Sequence, residues 1–257
     1  KKMGFGGFHM HSRSGMATQY LSDEFMGLVK DCVEKAKGEQ MLAWLYDEDR
    51  WPSGAAGGLV TKNPEYRARH LLFTPTPYSK DGGIASVGKR MENGRLLAKY
   101  EVVLNDSGFL KDYRMLKDGE TGSNVWYAYL EISGESAWFN NQTYVNTLDK
   151  KAIDEFIRIT YEGYKKAVGE YFDSIIPAIF TDEPQFTHKT ALNFAHEKKD
   201  IILPWTDDLP ETFHKAYNED LLAHLPELIW NLPDNQVSLI RYHYHDHIAQ
   251  RFFEAFA

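Results

Sequence analysis

The stretch QMLAWLYDEDRWPSG (residues 40–54) joins an apolar run to three carboxylates, an arginine and a second tryptophan. An unbroken apolar run of this kind is typical of a strand that is buried on both faces in a parallel sheet. Acids that follow such a strand directly, with aromatic rings beside them, are poorly placed for simple solvation. We therefore interpret residues 44–54 as the end of a buried strand and the start of a functional loop.

Strand-like and helix-like patterns alternate on both sides of this stretch. Two long segments have helical periodicity. Ser22 is the predicted N-cap of the first and Asp149 that of the second. After TDEP (181–184) two helical segments follow, and no further strand is predicted. Four parallel strands are expected near residues 4–10, 41–47, 143–148 and 176–181.

Residues 72–139 break this alternation. RLLAKYEVVL, FLKDYRML and NVWYAYLEIS are strand-like, and the turn-forming segments NDSG and DGETGS separate them. The whole pattern predicts the α/β class and a (β/α)8 TIM-type barrel, with its N-terminal half to two-thirds present and a β-rich insertion after strand 2. An open doubly wound sheet is the alternative. It is weakened because the glycines of GFGGFH precede the strand instead of forming the phosphate-binding turn after it.

We expect residues 1–257 to form one partial catalytic domain that contains the 72–139 insertion. The chain opens on a strand-like run and closes inside an amphipathic helix, so we interpret it as an interior portion of a longer parent with other domains.

The composition limits the partners. A net charge of −8, from 37 acidic and 29 basic residues, disfavours nucleic acid or an anionic membrane surface and favours a neutral or cationic ligand. Cys32 is the only cysteine, which excludes an internal disulfide and a cysteine-built zinc site. The sequence has no apolar run of membrane-spanning length and no signal peptide. We expect a soluble protein, either cytoplasmic or exported by a signal outside this segment.

Polar residues cluster where the predicted parallel strands end, which is where barrel enzymes carry their chemistry. Glu48 and Glu183 would then face one cavity. Two carboxylates held apart, one protonated and one ionised, are what glycoside hydrolysis requires. The structural alternative is that both are solvated loop acids, or that Glu48 pairs with Arg50. The strand-end residues are His9, His11, Arg13, Asp47, Glu48, Asp49, Asp182 and Glu183.

Three segments carry a family resemblance. GFGGFHMHSRSGMATQYLSDEF (4–25), WLYDEDRWPSGAAGG (44–58) and IFTDEPQF (179–186), with LPWTDDLPETF (203–213) further on, resemble the catalytic barrel of glycoside hydrolase family 106. These are the calcium-dependent α-L-rhamnosidases and their unassigned relatives. The resemblance implies an inverting glycosidase acting on a terminal sugar, most simply α-L-rhamnose, of a plant-type or microbial glycan.

The resemblance also implies roles for individual residues. It makes Glu48 and Glu183 the catalytic pair, and TDEP is similar to the acid motif of many barrel glycosidases, so Glu183 would be the general acid and Glu48 the base. Calcium is implied by the family alone, with no ligands assigned. The expected substrate-binding residues are His9, His11, Arg13, Tyr46, Asp47, Arg50, Trp51 and Asp182.

Two other functions stay open. His9 and His11 lie on one face of a strand, the spacing by which metal-dependent amidohydrolase barrels hold zinc, although this leaves YDED and TDEP unexplained. The other alternative is a carbohydrate-binding barrel that has lost its chemistry. The HYHDH segment (243–247) is interpreted as structural more readily than as a metal site.

Overall fold

The computed structural model describes residues 1–13, 15–78 and 90–256, which form two compact units. Unit 1 comprises Lys1–Arg67 and Glu135–Gln185, and unit 2 comprises Ala68–Gly134 and Phe186–Ala257. The β-rich segment that follows the second strand therefore packs with the C-terminal part of the chain.

Unit 1 is built on a short parallel sheet. Its strands are β1 (Gly7–His9), β2 (Leu42–Tyr46) and β7 (Ile179–Phe180), in the order β1-β2-β7. β2 is central, and Ala43, Leu45 and Tyr46 of its apolar run are buried, whereas Leu42 is exposed. The parallel pairing of the first, second and last of the four predicted strands is confirmed.

Two helices of unit 1 pack with this sheet. In α1 (Asp23–Gly38) the Ser22 hydroxyl accepts the N–H of Phe25, and in α2 (Lys150–Val168) the Asp149 carboxylate accepts the N–H of Lys151. Both predicted caps are confirmed. The shared core is formed by side chains at helical spacing on the two helices and by alternate residues of β2: Phe25, Val29, Val33, Ala36, Ala43, Leu45, Tyr164 and Val168.

Unit 2 contains an antiparallel sheet of five strands: β3 (Arg69–Thr74), β4 (Arg95–Leu104), β5 (Leu110–Met115), β6 (Val125–Ile132) and β8 (Ile201–Pro204). Their order in the sheet is β5-β4-β6-β3-β8. The strands expected from RLLAKYEVVL, FLKDYRML and NVWYAYLEIS are confirmed as β4, β5 and β6, while part of the predicted 72–139 excursion, residues 79–89, lies outside the described residues.

Strand β8 was missed by the sequence analysis, which predicted no strand after TDEP. It has four residues and ends at Pro204, so it is too short for a periodic pattern, and the proline suits only a sheet edge. It pairs antiparallel with β3 and occupies that edge. The helices α3 (Leu209–Tyr217) and α4 (Leu239–Phe256) follow it. No described helix is long and apolar enough to cross a bilayer.

The prediction of a (β/α)8 barrel is wrong. The described residues show no eightfold alternation of strand and helix, and the larger sheet is antiparallel and curled. The expected third strand, residues 143–148, forms one isolated antiparallel bridge between Val145 and Arg67 instead of joining the parallel sheet. The segment is a largely buried loop instead, and its side chains Val145 and Leu148 lie in the core. The expectation that the chain contains half to two-thirds of such a barrel is therefore also wrong.

Candidate functional site

The parallel strands of unit 1 bring the predicted strand-end residues to one edge. β1, β2 and β7 run in the same direction, so His9, Tyr46 and Phe180 end neighbouring strands. The His11 ring stacks on Tyr46 with centroids 3.8 Å apart, and the Tyr46 hydroxyl lies 3.4 Å from Oδ2 of Asp182. The meeting of these residues required only parallel pairing, which the sequence predicted, and not a barrel.

Asp47 lies at this edge but is fully buried. Its carboxylate accepts hydrogen bonds from the hydroxyls of Ser53 at 2.5 Å, Thr181 at 2.6 Å and Tyr161 at 2.8 Å. Burial raises the pKa of Asp47, and the three hydroxyl donors act in the opposite direction by stabilising the carboxylate. Asp47 therefore joins β2 to the following loop, to α2 and to the residue after β7, and its contacts are with protein rather than with a ligand.

Glu48 is enclosed by its own loop. Its side chain is 1% exposed, and its two oxygens accept the backbone N–H groups of Asp49 at 3.0 Å, Gly54 at 3.2 Å, Ala56 at 2.6 Å and Gly57. Burial raises the pKa of the carboxyl to about 8, although the N–H donors counteract this shift. The sequence analysis expected a catalytic base that faces a cavity, whereas this carboxyl group is surrounded by the backbone of the loop that follows it.

The glycines of the loop are required by its backbone. Ala56, Gly57 and Gly58 adopt left-handed conformations in succession, with φ of 50°, 63° and 84°. With this backbone the N–H groups of Gly54, Ala56 and Gly57 point inward to Glu48. A Cβ on Gly58 would lie 2.7 Å from the carbonyl oxygen of Phe139, so a larger residue does not fit there.

Glu183 contrasts with Glu48 because it is exposed to solvent. Its Oε2 accepts a hydrogen bond of 2.9 Å from the indole N–H of Trp51, which is 41% exposed. Glu183 also adopts a left-handed backbone with φ of 44°, a conformation that costs energy for a residue with a side chain and is found preferentially at functional sites. The carboxylate is thus held by one donor and open on its other side.

A second exposed tryptophan lies beside Trp51. Trp138 is 45% exposed and donates its indole N–H to the carbonyl of Trp51, and the guanidinium of Arg50 lies 5.8 Å above the Trp138 ring. Phe180, at the end of β7, is 40% exposed. Such rings offer flat apolar surfaces beside polar groups, which suits ligands that have an apolar face and many hydroxyls.

Arg50 is fixed rather than free. Its Nε and Nη2 atoms bind Oδ2 of Asp49 at 3.0 and 2.8 Å, and Nη2 also donates to the side-chain oxygen of Asn140. The amide of Asn140 in turn donates to Asp49 and to the carbonyl of Gly57. The sequence analysis considered an ion pair between Glu48 and Arg50 as the structural alternative. In the structure Arg50 pairs with Asp49 and not with Glu48.

The described residues contain no group of three or more His, Cys, Asp or Glu side chains that could hold a metal. The rings of His9 and His11 stack on Trp44 and Tyr46, and Nδ1 of His11 lies 2.9 Å from the carbonyl of Ser12. The carboxylate oxygens of Asp47 and Glu48 face hydroxyl and N–H donors. The hydrogens of these donors carry partial positive charge, which disfavours a cation beside the same oxygens. The acids of this loop therefore do not fit a calcium site, and calcium stays a prediction of the resemblance alone.

The remaining sequence candidates lie in unit 2, where they have structural contacts. Within HYHDH, His243 lies 2.7 Å from Glu219 and stacks on Tyr217, while His247 lies 2.9 Å from the Thr212 hydroxyl, so the segment packs α4 against α3.

Several residues of the site were not found by sequence reasoning. Tyr161 on α2, and Trp138 and Asn140 from a loop some 90 positions after Arg50, come from segments without a motif and reach the loop only through the fold. Thr181 is the first residue of TDEP, but the sequence analysis gave a role only to the acids of that motif. Asn140 has one local signal, since its left-handed φ of 55° is a conformation that asparagine favours.

Comparison of the chain with protein-family models, with curated proteins and with solved structures gave no match.

Proposed function

We propose that this chain acts on carbohydrate as a glycosidase, with Glu183 as the group that protonates the leaving oxygen. The observation that supports this most directly is the exposed Glu183 carboxylate, held by the indole N–H of Trp51, whose ring is itself exposed. A glycosidase acid must reach the glycosidic oxygen, and aromatic rings bind the apolar face of a sugar. The resemblance to family 106 in TDEP and YDEDRWPSG supports α-L-rhamnosides as the first substrates to test.

The proposal needs a second carboxylate. Glu48 was expected to act as the base, but its burial and its four N–H donors favour a positioning role, in which it shapes the loop that carries Arg50 and Trp51. Asp182 is half-buried at the same strand end, with Oδ2 3.4 Å from the Tyr46 hydroxyl. We therefore assign the ionised carboxylate, which activates water or stabilises the developing positive charge, to Asp182.

The experiment is a hydrolysis screen of the full chain on 4-nitrophenyl glycosides, with the α-L-rhamnoside first. Turnover by the wild type and loss of turnover in Glu183→Gln are expected, because the amide cannot donate the proton. Glu170→Gln, an exposed acid in the same unit, is the matched control and should retain full activity. Asp182→Asn should also remove activity, which would distinguish it from a residue that only lines the site.

A flat response to every glycoside, together with saturable sugar binding, would overturn the enzyme proposal and favour the carbohydrate-binding alternative. Loss of turnover in Glu183→Gln with equal loss in Glu170→Gln would show that the effect is not specific to the site.

A further inference from the structure

The segment that carries Glu183 is fastened to the rest of unit 1 on both sides. Before Glu183, the Ser53 hydroxyl accepts the N–H of Asp182 at 2.9 Å, and the Ser53 N–H donates to the Asp182 carbonyl at 2.9 Å. Ser53 is completely buried, and its hydroxyl donates in turn to Oδ1 of Asp47. Ser53 therefore binds both backbone polar groups of the residue that precedes Glu183.

A second set of contacts lies after Glu183. The Tyr144 hydroxyl donates to the carbonyl of Ser53 at 2.7 Å and accepts the N–H of Gln185 at 3.3 Å. The Thr147 hydroxyl donates to the Gln185 carbonyl at 2.9 Å. Tyr144 therefore joins the loop that contains Ser53 to the residue two positions after Glu183.

These contacts explain how Glu183 keeps an unfavourable backbone conformation. Its φ of 44° lies in the left-handed region, and a residue with a side chain stays there only where its surroundings impose it. Asp182 and Gln185 are both fixed through their N–H and carbonyl groups, so the chain between them has little freedom to relax. If either attachment is lost, we expect Glu183 to adopt an ordinary φ and its carboxylate to move away from the Trp51 indole.

We propose that Ser53 and Tyr144 are positioning residues, which together form a clamp that keeps the Glu183 carboxylate on the indole N–H of Trp51. Ser53 lies two positions after Trp51, so the segment of the donor and the segment of the acceptor are joined close to the bond between them. A proton donor must be held in place, since a displacement of about 1 Å can cost about 10²-fold in rate. The effect of the clamp on catalysis rests on the proposed function, whereas its effect on the contact between Trp51 and Glu183 does not.

The first measurement does not depend on activity. In the full chain with isotope-labelled tryptophan, the NMR resonance of the Trp51 indole N–H is identified by its loss in Trp51→Phe, and Glu183→Ala gives its position without the carboxylate. We expect Tyr144→Phe and Ser53→Ala to move this resonance from its wild-type position toward that in Glu183→Ala, by more than half of the difference. Tyr171→Phe removes a hydroxyl elsewhere in unit 1 and should leave the resonance in place.

The second measurement is kinetic, on the best glycoside from the screen. Tyr144→Phe should lower kcat by about tenfold and change KM by less than about twofold, because the proton donor is displaced while the exposed rings stay in place. Ser53→Ala also removes a donor from the buried Asp47 carboxylate, whereas Tyr144→Phe leaves the three donors of Asp47 unchanged. Tyr144→Phe therefore separates the position of the acid from the stability of the loop, and Tyr171→Phe should keep the wild-type kcat.

Two outcomes would overturn the clamp. The Trp51 indole resonance could keep its wild-type position in Tyr144→Phe, or Tyr171→Phe could move it by the same amount. Failure of the proposed hydrolysis is a different result. If no glycoside is hydrolysed but the resonance moves in Tyr144→Phe alone of the two tyrosine variants, the clamp is supported and Glu183 is not a catalytic acid. If glycosides are hydrolysed and Tyr144→Phe keeps the wild-type kcat, the role of the clamp in positioning the acid is wrong.

Discussion

The backbone N–H of Ala56 donates to Oε2 of Glu48 over 2.6 Å, so that a carboxylate expected to face a cavity is instead the centre of the loop that follows it. Three more N–H groups of the same loop point at this side chain. The glycine-rich sequence and the buried glutamate therefore depend on each other, since the left-handed glycines orient the backbone amides that the Glu48 carboxylate binds. Its consequence is the placement of Arg50 and Trp51.

Replacing Glu48 by Gln should remove a pH dependence of stability. The ordinary pKa of Glu is 4.5, and burial raises that of folded Glu48 to about 8, so the folded state binds more protons between these values. The free energy of unfolding contributed by this group is greatest below pH 4.5 and falls as pH rises to about 8, by up to about 1.4 kcal/mol per pH unit. Urea unfolding of the wild type and Glu48→Gln between about pH 5 and pH 8 measures the difference. An identical slope in both proteins would contradict this, and Glu170→Gln should keep the wild-type slope.

Gly58→Ala should destabilise unit 1 more than Gly4→Ala does. Both glycines have φ near 85°, so alanine meets the same backbone strain of about 1 kcal/mol at each. A Cβ at Gly4 meets nothing within 4 Å, whereas a Cβ at Gly58 lies 2.7 Å from the Phe139 carbonyl, which adds about 1–3 kcal/mol of overpacking. Thermal or denaturant unfolding compares the two variants. Equal losses would show that the close approach to Phe139 does not constrain the loop.

Tyr161→Phe should lower the free energy of unfolding by about 1.5–3 kcal/mol, because it removes a 2.8 Å hydrogen bond to the buried Asp47 carboxylate. In the Asp47→Asn background the same change should cost less, because the acceptor is no longer a carboxylate. A double-mutant cycle by urea unfolding measures this coupling. Strict additivity would mean that Asp47 and Tyr161 do not act together.

Trp51→Phe and Trp51→Ala separate the two roles proposed for this side chain. Phenylalanine keeps an aromatic ring but lacks the N–H that binds Glu183, so we expect a fall in kcat of about tenfold with a smaller change in KM. Alanine removes both, so KM should rise as well. Steady-state kinetics on the best glycoside from the screen gives both constants. Identical behaviour of the two variants would argue against a distinct role for the indole N–H.

Glu183→Gln should affect substrates according to their leaving groups. Rates on glycosides with poor leaving groups should fall by about 10²-fold or more, because these depend on proton donation, while activated aryl glycosides should lose less. The unfolding free energy should be unchanged, since the side chain is exposed. A uniform loss across leaving groups would exclude Glu183 as the acid.

Local pattern alone determined much of unit 1. The apolar run of β2, the caps Ser22 and Asp149, and the helical spacing of α1 and α2 are properties of short segments, and each is found where the sequence predicts it. The meeting of Tyr46 with Asp182 also followed from the sequence, because the carboxyl ends of parallel strands share one edge whatever the rest of the sheet does.

Only the tertiary structure decided the remainder. Whether residues 143–148 join the parallel sheet, and whether Ile201–Pro204 adds to the antiparallel one, depends on partners far along the chain, which no local period records. The same holds for Glu48 and Glu183. Their sequence settings look alike, an acid after a strand with aromatics nearby, yet one is enclosed by four amides and the other is open to solvent. The path of the backbone after each strand makes this difference, because left-handed residues at 56–58 fold the first loop back over its acid, whereas Glu183 itself takes the left-handed conformation and stays exposed.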